Sequence, residues 1–477
     1  MSDPAPSVRR VLLFWLPLAA TWLMMGIEGP YIAAIIARMA DAKANLAAYG
    51  VTFSLAFLAE APIIMVMTAS NTLVADRQSF FALRRFVYAL NTGVTVAFLA
   101  GLYPPFFRFV TGRLMGLPAD IASITHVATA ILLPWPAAIG YRRFYQGILI
   151  RNHMPRRVAY GTVVRVVTMS VVGIVLALTA PFRGAYVGAL ALVTGVVAEA
   201  VASRVMARHL VRQLRAEPGD GGAHPPLTPR DIVRFYYPLA LTSLITLAVN
   251  PVLTFFLAHS RAAIESLAVM PVVTGLAFFF RSGAIAYQET AVALMGQAKA
   301  PATTPVEVPG SGPAGAPGTM RVEAAGATLV KAARGLAAAT AICLGGIAYS
   351  PLADVWFGRV SGLTPDLAHV ALWPLRVLAL APPVDYLLTF QRAQFVLARR
   401  TRVITFATVV EVFTLVLAMG IGVRGFDMVG ALAAALAVLF GRVAGSMFLL
   451  WMSRPQAAFV IGPAIVSDPR LTGSGRD

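Results

Sequence analysis

The stretch FWLPLA at Phe14–Ala19 returns in the second half of the chain as YYPLA at Tyr236–Ala240. The two stretches are 221 residues apart, and the correspondence runs without a gap as far as Leu46 and Leu267. A duplicated, mostly apolar chain is typical of two-lobed membrane transporters, because a site between two similar bundles can open alternately to either side. The repeat therefore predicts a two-lobed membrane transporter.

The composition independently indicates a membrane protein. Hydrophobic residues make up 58% of the 477 residues, charged residues make up 13%, and the mean hydropathy is +0.74. A soluble domain carries roughly 25% charged residues, so this chain has too few polar groups for a soluble surface. The single cysteine, Cys343, excludes disulfides within the chain and cysteine-rich metal sites.

Twelve apolar segments are long enough to cross a bilayer as helices. They lie at about 11–37, 46–70, 84–103, 121–149, 158–181, 184–207, 233–258, 264–295, 323–350, 368–397, 401–423 and 427–453. Because lipid-exposed backbone must form its hydrogen bonds within its own segment, such runs are helices. The fold predicted is all-α and polytopic, with twelve transmembrane helices in two pseudo-symmetric six-helix bundles.

The predicted bundles span 1–215 and 231–453. A linker at 216–230 joins them, a flexible loop at 300–321 interrupts the second, and a tail follows at 454–477; all three are expected in the cytoplasm. Lysine and arginine concentrate in alternate loops, which places both termini in the cytoplasm of a bacterial inner membrane. The basic residues behind the net charge of +18 are then expected to lie against lipid headgroups. They are dispersed between apolar spans and do not form one basic face, which argues against nucleic-acid binding.

Several classes of function are excluded by missing motifs. None of the three lysines follows a glycine, so no phosphate-binding loop is present to drive transport by ATP hydrolysis. The chain has no His-Glu-x-x-His motif, and no nucleophile has an identifiable base. We therefore expect no enzyme activity, no catalytic residues, no metal site and no cofactor beyond a coupling H⁺ or Na⁺, in a protein that acts as a monomer.

Short motifs resemble a known transporter superfamily. The two-lobed plan and the elbow at Tyr145–Arg151 look like the multidrug, oligosaccharidyl-lipid and polysaccharide (MOP) exporter superfamily, which includes the MATE transporters. Phe235–Leu241, Ala47–Val51, Gly26 and Glu28 look most like its progressive ankylosis (ANK) family. The chain departs from the MATE pattern by lacking an aspartate in the outer part of the first span, and it offers Glu28 about a turn earlier.

The ANK resemblance implies export of small organic anions such as citrate, pyrophosphate or nucleotides. The spans contain seven arginines and six acidic residues, and this small excess of positive charge also favours an anionic substrate. The function predicted is secondary active export of such anions by alternating access. The alternatives are a MATE-type cation-coupled multidrug exporter and a flippase for lipid-linked glycans. A scaffold explains neither the repeat nor the charges inside the spans.

Charged residues inside the spans are the candidate site, since each is costly unless it meets a partner or water. Glu28 lies beside Pro30, whose ring leaves a carbonyl of the first span unpaired, so Glu28 is a candidate to bind H⁺ or Na⁺; the alternative is a wetted helix end. Glu60 and Arg281 occupy equivalent positions of the repeat. They are predicted to pair across one cavity, and the alternative is a separate ion pair within each lobe.

The fourth and tenth spans carry the remaining candidates. Substrate contact is predicted for Arg142, Gln146, Asp385 and Arg392, with snorkelling of the arginines to the headgroups as the alternative. Arg165 with Glu199 is expected to clamp neighbouring spans instead. The candidate gating kinks are the prolines Pro30, Pro134, Pro251 and Pro382.

Overall fold

A computed structural model describes the helical body of the protein. The described residues are 7–152, 154–216, 227–299, 317–398 and 400–453, and they contain helices and no strand. The predicted tail at 454–477 lies outside them, as do residues 217–226 of the first predicted linker and 300–316 of the second.

The first half contains ten α-helices and one π-helical turn. They are α1 Val8–Ala37, α2 Ala42–Glu60, α3 Val66–Leu73, α4 Arg77–Gly101, α5 Pro104–Arg108, the π turn Phe109–Leu114, α6 Ala119–Ile131, α7 Trp135–Arg151, α8 Pro155–Thr179, α9 Gly184–Met206 and α10 Arg208–Ala216. Capping residues fix some of the boundaries. The Asp76 carboxylate, for example, accepts a bond from the Ser79 amide at 2.7 Å and starts α4.

The second half repeats this order. Its elements are α11 Pro229–Leu247, α12 Val249–Ala258, α13 Ala263–Lys299, α14 Pro317–Ala348, α15 Leu352–Asp354, the π turn Val355–Val360, α16 Pro365–Leu378, α17 Ala381–Leu397, α18 Thr401–Gly420, the π turn Ile421–Gly425 and α19 Gly430–Ser453. Helix α14 begins inside the predicted loop 300–321, four residues before its end.

The described helices account for all twelve predicted spans. Nine helices, some of them with a break, are long and apolar enough to cross a membrane, and two bent pairs, at 68° and 44°, raise the number to eleven. The remaining predicted span, 46–70, corresponds to α2 and α3, which are separated by a turn at 61–65. The all-α, polytopic, two-bundle fold is confirmed.

The internal repeat extends to the backbone conformation at the turns. Asp41 and Ala262, 221 residues apart, both adopt left-handed φ, of 53° and 54°. Gly116 and Gly362, 246 residues apart, do the same after the two matching π turns, at 66° and 72°. A side chain disfavours this conformation, so its recurrence at Ala262 shows that the packing of the repeat dictates it.

The same side-chain cap also recurs in both halves. The Asn45 amide oxygen accepts a bond from the Ala185 backbone amide at the start of α9, at 3.1 Å. The Ser266 hydroxyl oxygen accepts one from the Ala431 amide at the start of α19, at 3.0 Å. Both caps satisfy a free donor at a buried helix end, so equivalent helices dock in the same way in each lobe.

The first helix of each lobe also bonds to the other lobe. The Trp15 indole of α1 donates a hydrogen bond to the Gly283 carbonyl of α13 at 2.8 Å. The Tyr236 hydroxyl of α11 donates one to the Pro62 carbonyl of the first lobe at 2.6 Å. Trp15 and Tyr236 are equivalent in the repeat, and so are Pro62 and Gly283. We call this reciprocal contact the exchange of the entry helices, although each helix also packs on its own lobe.

The lobes also meet directly at the opposite end of the bundle, where α1 ends. Lys43 and Glu265 form an ion pair at 2.5 Å between α2 and α13. Pro30 of α1 packs on Gly275 of α13, where a Cβ atom would lie 2.6 Å from the proline ring. The glycine is therefore required for the close approach of the two helices.

The predicted proline kinks have different outcomes. Pro30 lies inside α1, which continues from Val8 to Ala37, and its ring packs on Gly275. Pro251 follows a break between α11 and α12, and Pro134 directly precedes α7. Pro382 lies in the first turn of α17, next to the 44° bend. Their part in gating stays a prediction.

Candidate functional site

A polar stripe runs along α13, the long helix that follows α12. Of residues 263–295, Thr274 and Glu289 are the two exposed ones, and Arg281 keeps 34% of its side chain exposed. These three residues are seven and eight positions apart, which places them on one face of the helix. Polar side chains on a helix of this hydropathy are costly against lipid, so this face suits contact with water or a ligand inside the protein.

Arg281 is loosely held by one carboxylate of its own lobe. Its Nε atom lies 3.8 Å from Asp385 Oδ1 on α17, beyond hydrogen-bond distance. The other oxygen of Asp385 accepts a bond from Arg442 Nη1 of α19 at 2.9 Å. Asp385 is therefore kept in place by the buried Arg442, which leaves the donors of Arg281 available to a ligand.

The second-lobe site contains a further ion pair. Arg392 of α17 donates to Glu411 of α18 at 2.9 Å, and both side chains are partly exposed. Gln391 accepts a bond from Ser446 of α19 at 3.0 Å. Three arginines thus accompany two carboxylates in this group of side chains, and Glu289 of the α13 stripe is a third carboxylate of the same lobe.

The first lobe holds a fully neutralised network around Glu199 of α9. Arg142 of α7 forms a direct ion pair with one Glu199 oxygen, and Gln146 donates to the other at 3.0 Å. Arg165 of α8 lies 3.4 Å from Glu199, which confirms the predicted clamp between neighbouring spans. Glu199 has 1% of its side chain exposed, so Arg142 and Gln146 are held by this buried ion pair, and their contact with substrate stays a prediction.

Glu28, the candidate ion-binding residue, closes that network. Its carboxylate forms an ion pair with Arg165 Nη2, and 13% of its side chain is exposed. Two carboxylates, Glu28 and Glu199, therefore balance two arginines, Arg142 and Arg165. Glu28 is partnered by a cationic side chain, so an incoming cation would have to replace Arg165.

The predicted pairing of Glu60 with Arg281 is wrong for this structure. Arg281 has Asp385 of its own lobe as its neighbour. Glu60 is buried at the end of α2, within electrostatic range of Arg142 and Arg143. The alternative of separate pairing within each lobe is what the described residues show for Arg281. The reason is that helix α17 offers a carboxylate closer than α2 does.

Two residues of the site that were not predicted, Thr274 and Glu289, could have been recognised from the sequence. Thr274, Arg281 and Glu289 share a helical face, and that spacing can be read directly from the sequence. Glu289 also accepts a bond from the Trp22 indole of α1 at 3.3 Å, which ties the exchanged helix to the stripe. Arg442, the buried partner of Asp385, is recognisable from the sequence only as an arginine within a span.

Comparison with solved structures assigns the fold. No protein-family profile matches this chain, and no curated protein sequence does either. The inward-facing conformation of a multidrug resistance MATE family transporter of the MOP superfamily is 16% identical over 94% of this chain and 98% of its own, with a TM-score of 0.70. The chain has the MOP superfamily fold.

Two further structures with this fold have different stated roles. The lipid II flippase MurJ, in an inward closed conformation, is 12% identical over 93% of this chain and 87% of its own, with a TM-score of 0.66. A MOP superfamily transporter from Pyrococcus furiosus, described as having a reversed polarity of its binding pocket, is 14% identical over 96% and 97%, with a TM-score of 0.54. The shared fold serves more than one class of substrate.

Proposed function

We propose that the protein is a secondary active transporter that exports small organic anions by alternating access between its two lobes. The observation that carries this proposal is the polar stripe on α13, with the partly exposed Arg281 at its centre. Charged residues inside spans usually mark substrate or ion pathways. A guanidinium group binds carboxylate and phosphate through paired hydrogen bonds, so an anion is the substrate it favours.

The contact between Arg281 and Asp385 suits reversible binding. At 3.8 Å the two groups attract each other without a hydrogen bond, so a substrate anion has no tight ion pair to break. Asp385 stays neutralised by Arg442 when Arg281 turns to the substrate. The nearer resemblance to the ANK family, which rests on sequence motifs, also favours organic anions.

Transport by the purified protein in liposomes tests the proposal. We expect uptake of organic anions such as citrate or pyrophosphate, and a loss of about tenfold or more in binding for Arg281→Gln, which removes the charged donor. Arg376→Gln is the matched control, because Arg376 donates to the Ala348 carbonyl and stacks on Tyr349 and Trp373 instead of facing the stripe. Transport of cations alone, or unchanged anion binding by Arg281→Gln, would overturn the proposal.

The alternatives have specific support in the fold. The similarity to MurJ favours a flippase for lipid-linked glycans, and the similarity to the MATE structure favours a cation-coupled multidrug exporter. The same liposomes discriminate between them. A flippase would move a fluorescent lipid-linked oligosaccharide between leaflets. A multidrug exporter would move organic cations in exchange for H⁺ or Na⁺ that moves down its own gradient.

We infer that H⁺ or Na⁺ drives transport through Glu28. Binding of either cation at Glu28 would release Arg165, which then has Glu199 at 3.4 Å as its remaining carboxylate neighbour. Glu28→Gln should abolish the dependence of transport on the ion gradient while the protein still inserts. Coupling at the wild-type level in this variant would make Glu28 purely structural.

We further propose a monomer in the bacterial inner membrane, organised as the bundles 1–215 and 231–453 with the linkers and both termini in the cytoplasm. Single cysteines at Gly219 and Gly310, in a Cys343→Ala background, report the orientation. Both should resist membrane-impermeant reagents in intact cells and react once the membrane is opened. Reaction in intact cells would show that these linkers lie outside the cytoplasm, which would contradict the proposed orientation.

A further inference from the structure

We propose that Arg143 of α7 is a second anion-binding residue, contributed by the first lobe, and that the substrate carries at least two negative groups that bridge Arg143 and Arg281. The inference rests on the proposed function and deepens it by naming the charge of the substrate. It assigns the contact to Arg143 in place of its neighbour Arg142, whose charge is already neutralised by Glu199.

Arg143 differs from the other arginines inside the described spans of the two charge networks. Each of those has a carboxylate within ion-pair distance, whereas Arg143 has none among the described residues. Its Nη1 atom lies 3.7 Å from the sulfur of Met67, and its buried Nε atom has no hydrogen-bond partner in the same part of the chain. An unpaired guanidinium at this depth is costly, so a functional role is the expected reason for its presence.

The surroundings of α7 direct Arg143 to the interior. No residue from Trp135 to Ile150 is exposed, so Arg143 is held among neighbouring helices. Gly147, one turn further on the same face, abuts α3, where an added Cβ would lie 2.4 Å from Ser70. Arg143 therefore lies beside the start of α3, whose Met67 it contacts, close to the break between α2 and α3.

Broken helices near the middle of a membrane are where transporters of this kind place their ligands. The break at 61–65 is bordered by Glu60 before it and Met67 after it, and Tyr236 of the other lobe bonds to the Pro62 carbonyl within it. Both lobes thus border the break beside which Arg143 lies. A ligand bound here contacts the boundary between the lobes and not the interior of one bundle.

The repeat relates Arg143 to the stripe on α13. Helices α2 and α7 correspond to α13 and α17, and Glu60 corresponds to Arg281. The first lobe therefore presents an acid on its central helix and Arg143 on α7, while the second presents Arg281 on its central helix and Asp385 on α17. Each lobe thus offers one arginine without a hydrogen-bonded carboxylate, and a doubly charged anion between the lobes can bind both.

Binding to both arginines also explains how substrate could drive the lobes together. A ligand shifts a conformational equilibrium only by its difference in affinity for the two states. An anion with one charged group meets one arginine equally well in either state, whereas an anion with two groups gains the second contact only when the lobes approach. Dianions and trianions are therefore the class expected to be transported.

Equilibrium binding to purified protein tests the inference, with citrate and acetate as probes of three carboxylates and one. Wild-type protein should bind citrate about tenfold or more tightly than acetate, and Arg143→Gln should remove most of this difference. Arg143→Lys keeps the charge without the paired donors and should be intermediate. Arg376→Gln is again the control, with unchanged selectivity.

The outcomes separate the possibilities. If Arg143 had only a structural role, Arg143→Gln would lower the melting temperature and leave the citrate-to-acetate ratio intact, which would overturn the inference. The double variant Glu60→Gln with Arg143→Gln keeps the local charge balanced and provides the same readout if the single variant folds poorly. Wild-type protein that binds neither probe overturns the proposed function itself, whereas a wild-type preference for citrate that Arg143→Gln leaves unchanged overturns this inference alone.

Discussion

The two lobes each hold one carboxylate between two arginines, but they use this arrangement differently. In the first lobe Glu199 is enclosed by Arg142 and Arg165, and Glu28 completes the neutralisation. In the second lobe Asp385 has the buried Arg442 on one side and a partly exposed arginine, at 3.8 Å, on the other. The first network is closed and neutralised, whereas the second is open, since its partly exposed arginine has no hydrogen bond to the carboxylate.

The packing beneath these charges is shared, although their signs are not. Gly195 of α9 lies against the backbone of Arg165, and the equivalent Gly441 of α19 lies against the backbone of Glu411. Arg165 and Glu411 are themselves equivalent in the repeat, so a basic residue in one lobe stands where the other has an acid. Close helix contacts are thus kept by small residues, while the side chains on them have diverged toward separate roles.

The largest expected effect is the loss of the closed network. Glu199→Gln leaves two buried arginines to share one carboxylate, and we expect it to lower the free energy of unfolding by about 3–5 kcal/mol. The matched change Glu411→Gln affects a single, partly exposed pair and should cost about 1 kcal/mol. Denaturant titration in detergent micelles measures both, and equal losses would contradict the distinction between a closed and an open lobe.

The glycine pair tests whether the shared packing is equally tight. A Cβ at Gly441 would lie 2.7 Å from the Glu411 carbonyl oxygen, and one at Gly195 would lie 3.0 Å from that of Arg165. We expect Gly441→Ala to destabilise the protein by about 1–3 kcal/mol. Gly195→Ala should destabilise it by less, because the Arg165 carbonyl would have to shift less than the Glu411 carbonyl to make room for the added methyl group. Thermal unfolding compares the two, and a larger loss at Gly195 would refute this order.

The hydrogen bonds of the exchanged helices should stabilise the contact between the lobes. Tyr236→Phe removes only the hydroxyl that bonds to Pro62 at 2.6 Å, and it should lower the unfolding free energy by about 1 kcal/mol. Trp15→Phe removes the 2.8 Å bond to Gly283 together with the five-membered part of the indole, so it should cost more. Thermal unfolding compares the two, and a Tyr236→Phe variant as stable as the wild type would show that its bond adds no stability.

The smallest effect is expected at the exposed ion pair between the lobes. Lys43→Ala removes a contact with Glu265 in which 49% and 31% of the side chains are exposed. It should change stability by about 0.2–1 kcal/mol, and the difference should vanish in high salt. A salt-independent loss would mean that this pair is shielded from solvent by neighbouring residues.

The sequence predicted the architecture better than the partners of individual charges. Apolar runs and the repeat located the eleven spans that the described helices can form, and α2 with α3 at the twelfth, because the length of a span and the pattern of a repeat are properties of the chain itself. The partner of Arg281 depends on the distance between α17 and α13 in the folded protein, which the spacing of residues in the sequence does not determine. The contact of Pro30 with Gly275 could not be predicted for the same reason, since the two residues are 245 positions apart.

The candidate site was predictable in part. Equivalence in the repeat correctly drew attention to Glu60 and Arg281 but gave them the wrong partners, since α7 and α17 supply nearer charges. Trp15 and Tyr236 share a polar hydrogen on an aromatic ring at equivalent positions, a signal visible in the sequence once the repeat is aligned. Their acceptor carbonyls could only come from the structure.

The exchange of entry helices has a consequence for how the protein is made. The Pro62 carbonyl has no Tyr236 hydroxyl to bond with until the ribosome has added 174 more residues. The Trp15 indole likewise lacks its acceptor until Gly283 has been synthesised. The first lobe therefore cannot reach its final packing while it is the only part synthesised, and a newly inserted α1 needs a temporary partner in the membrane. Two halves expressed as separate polypeptides should each be short-lived, and should protect each other from proteolysis when they are produced together.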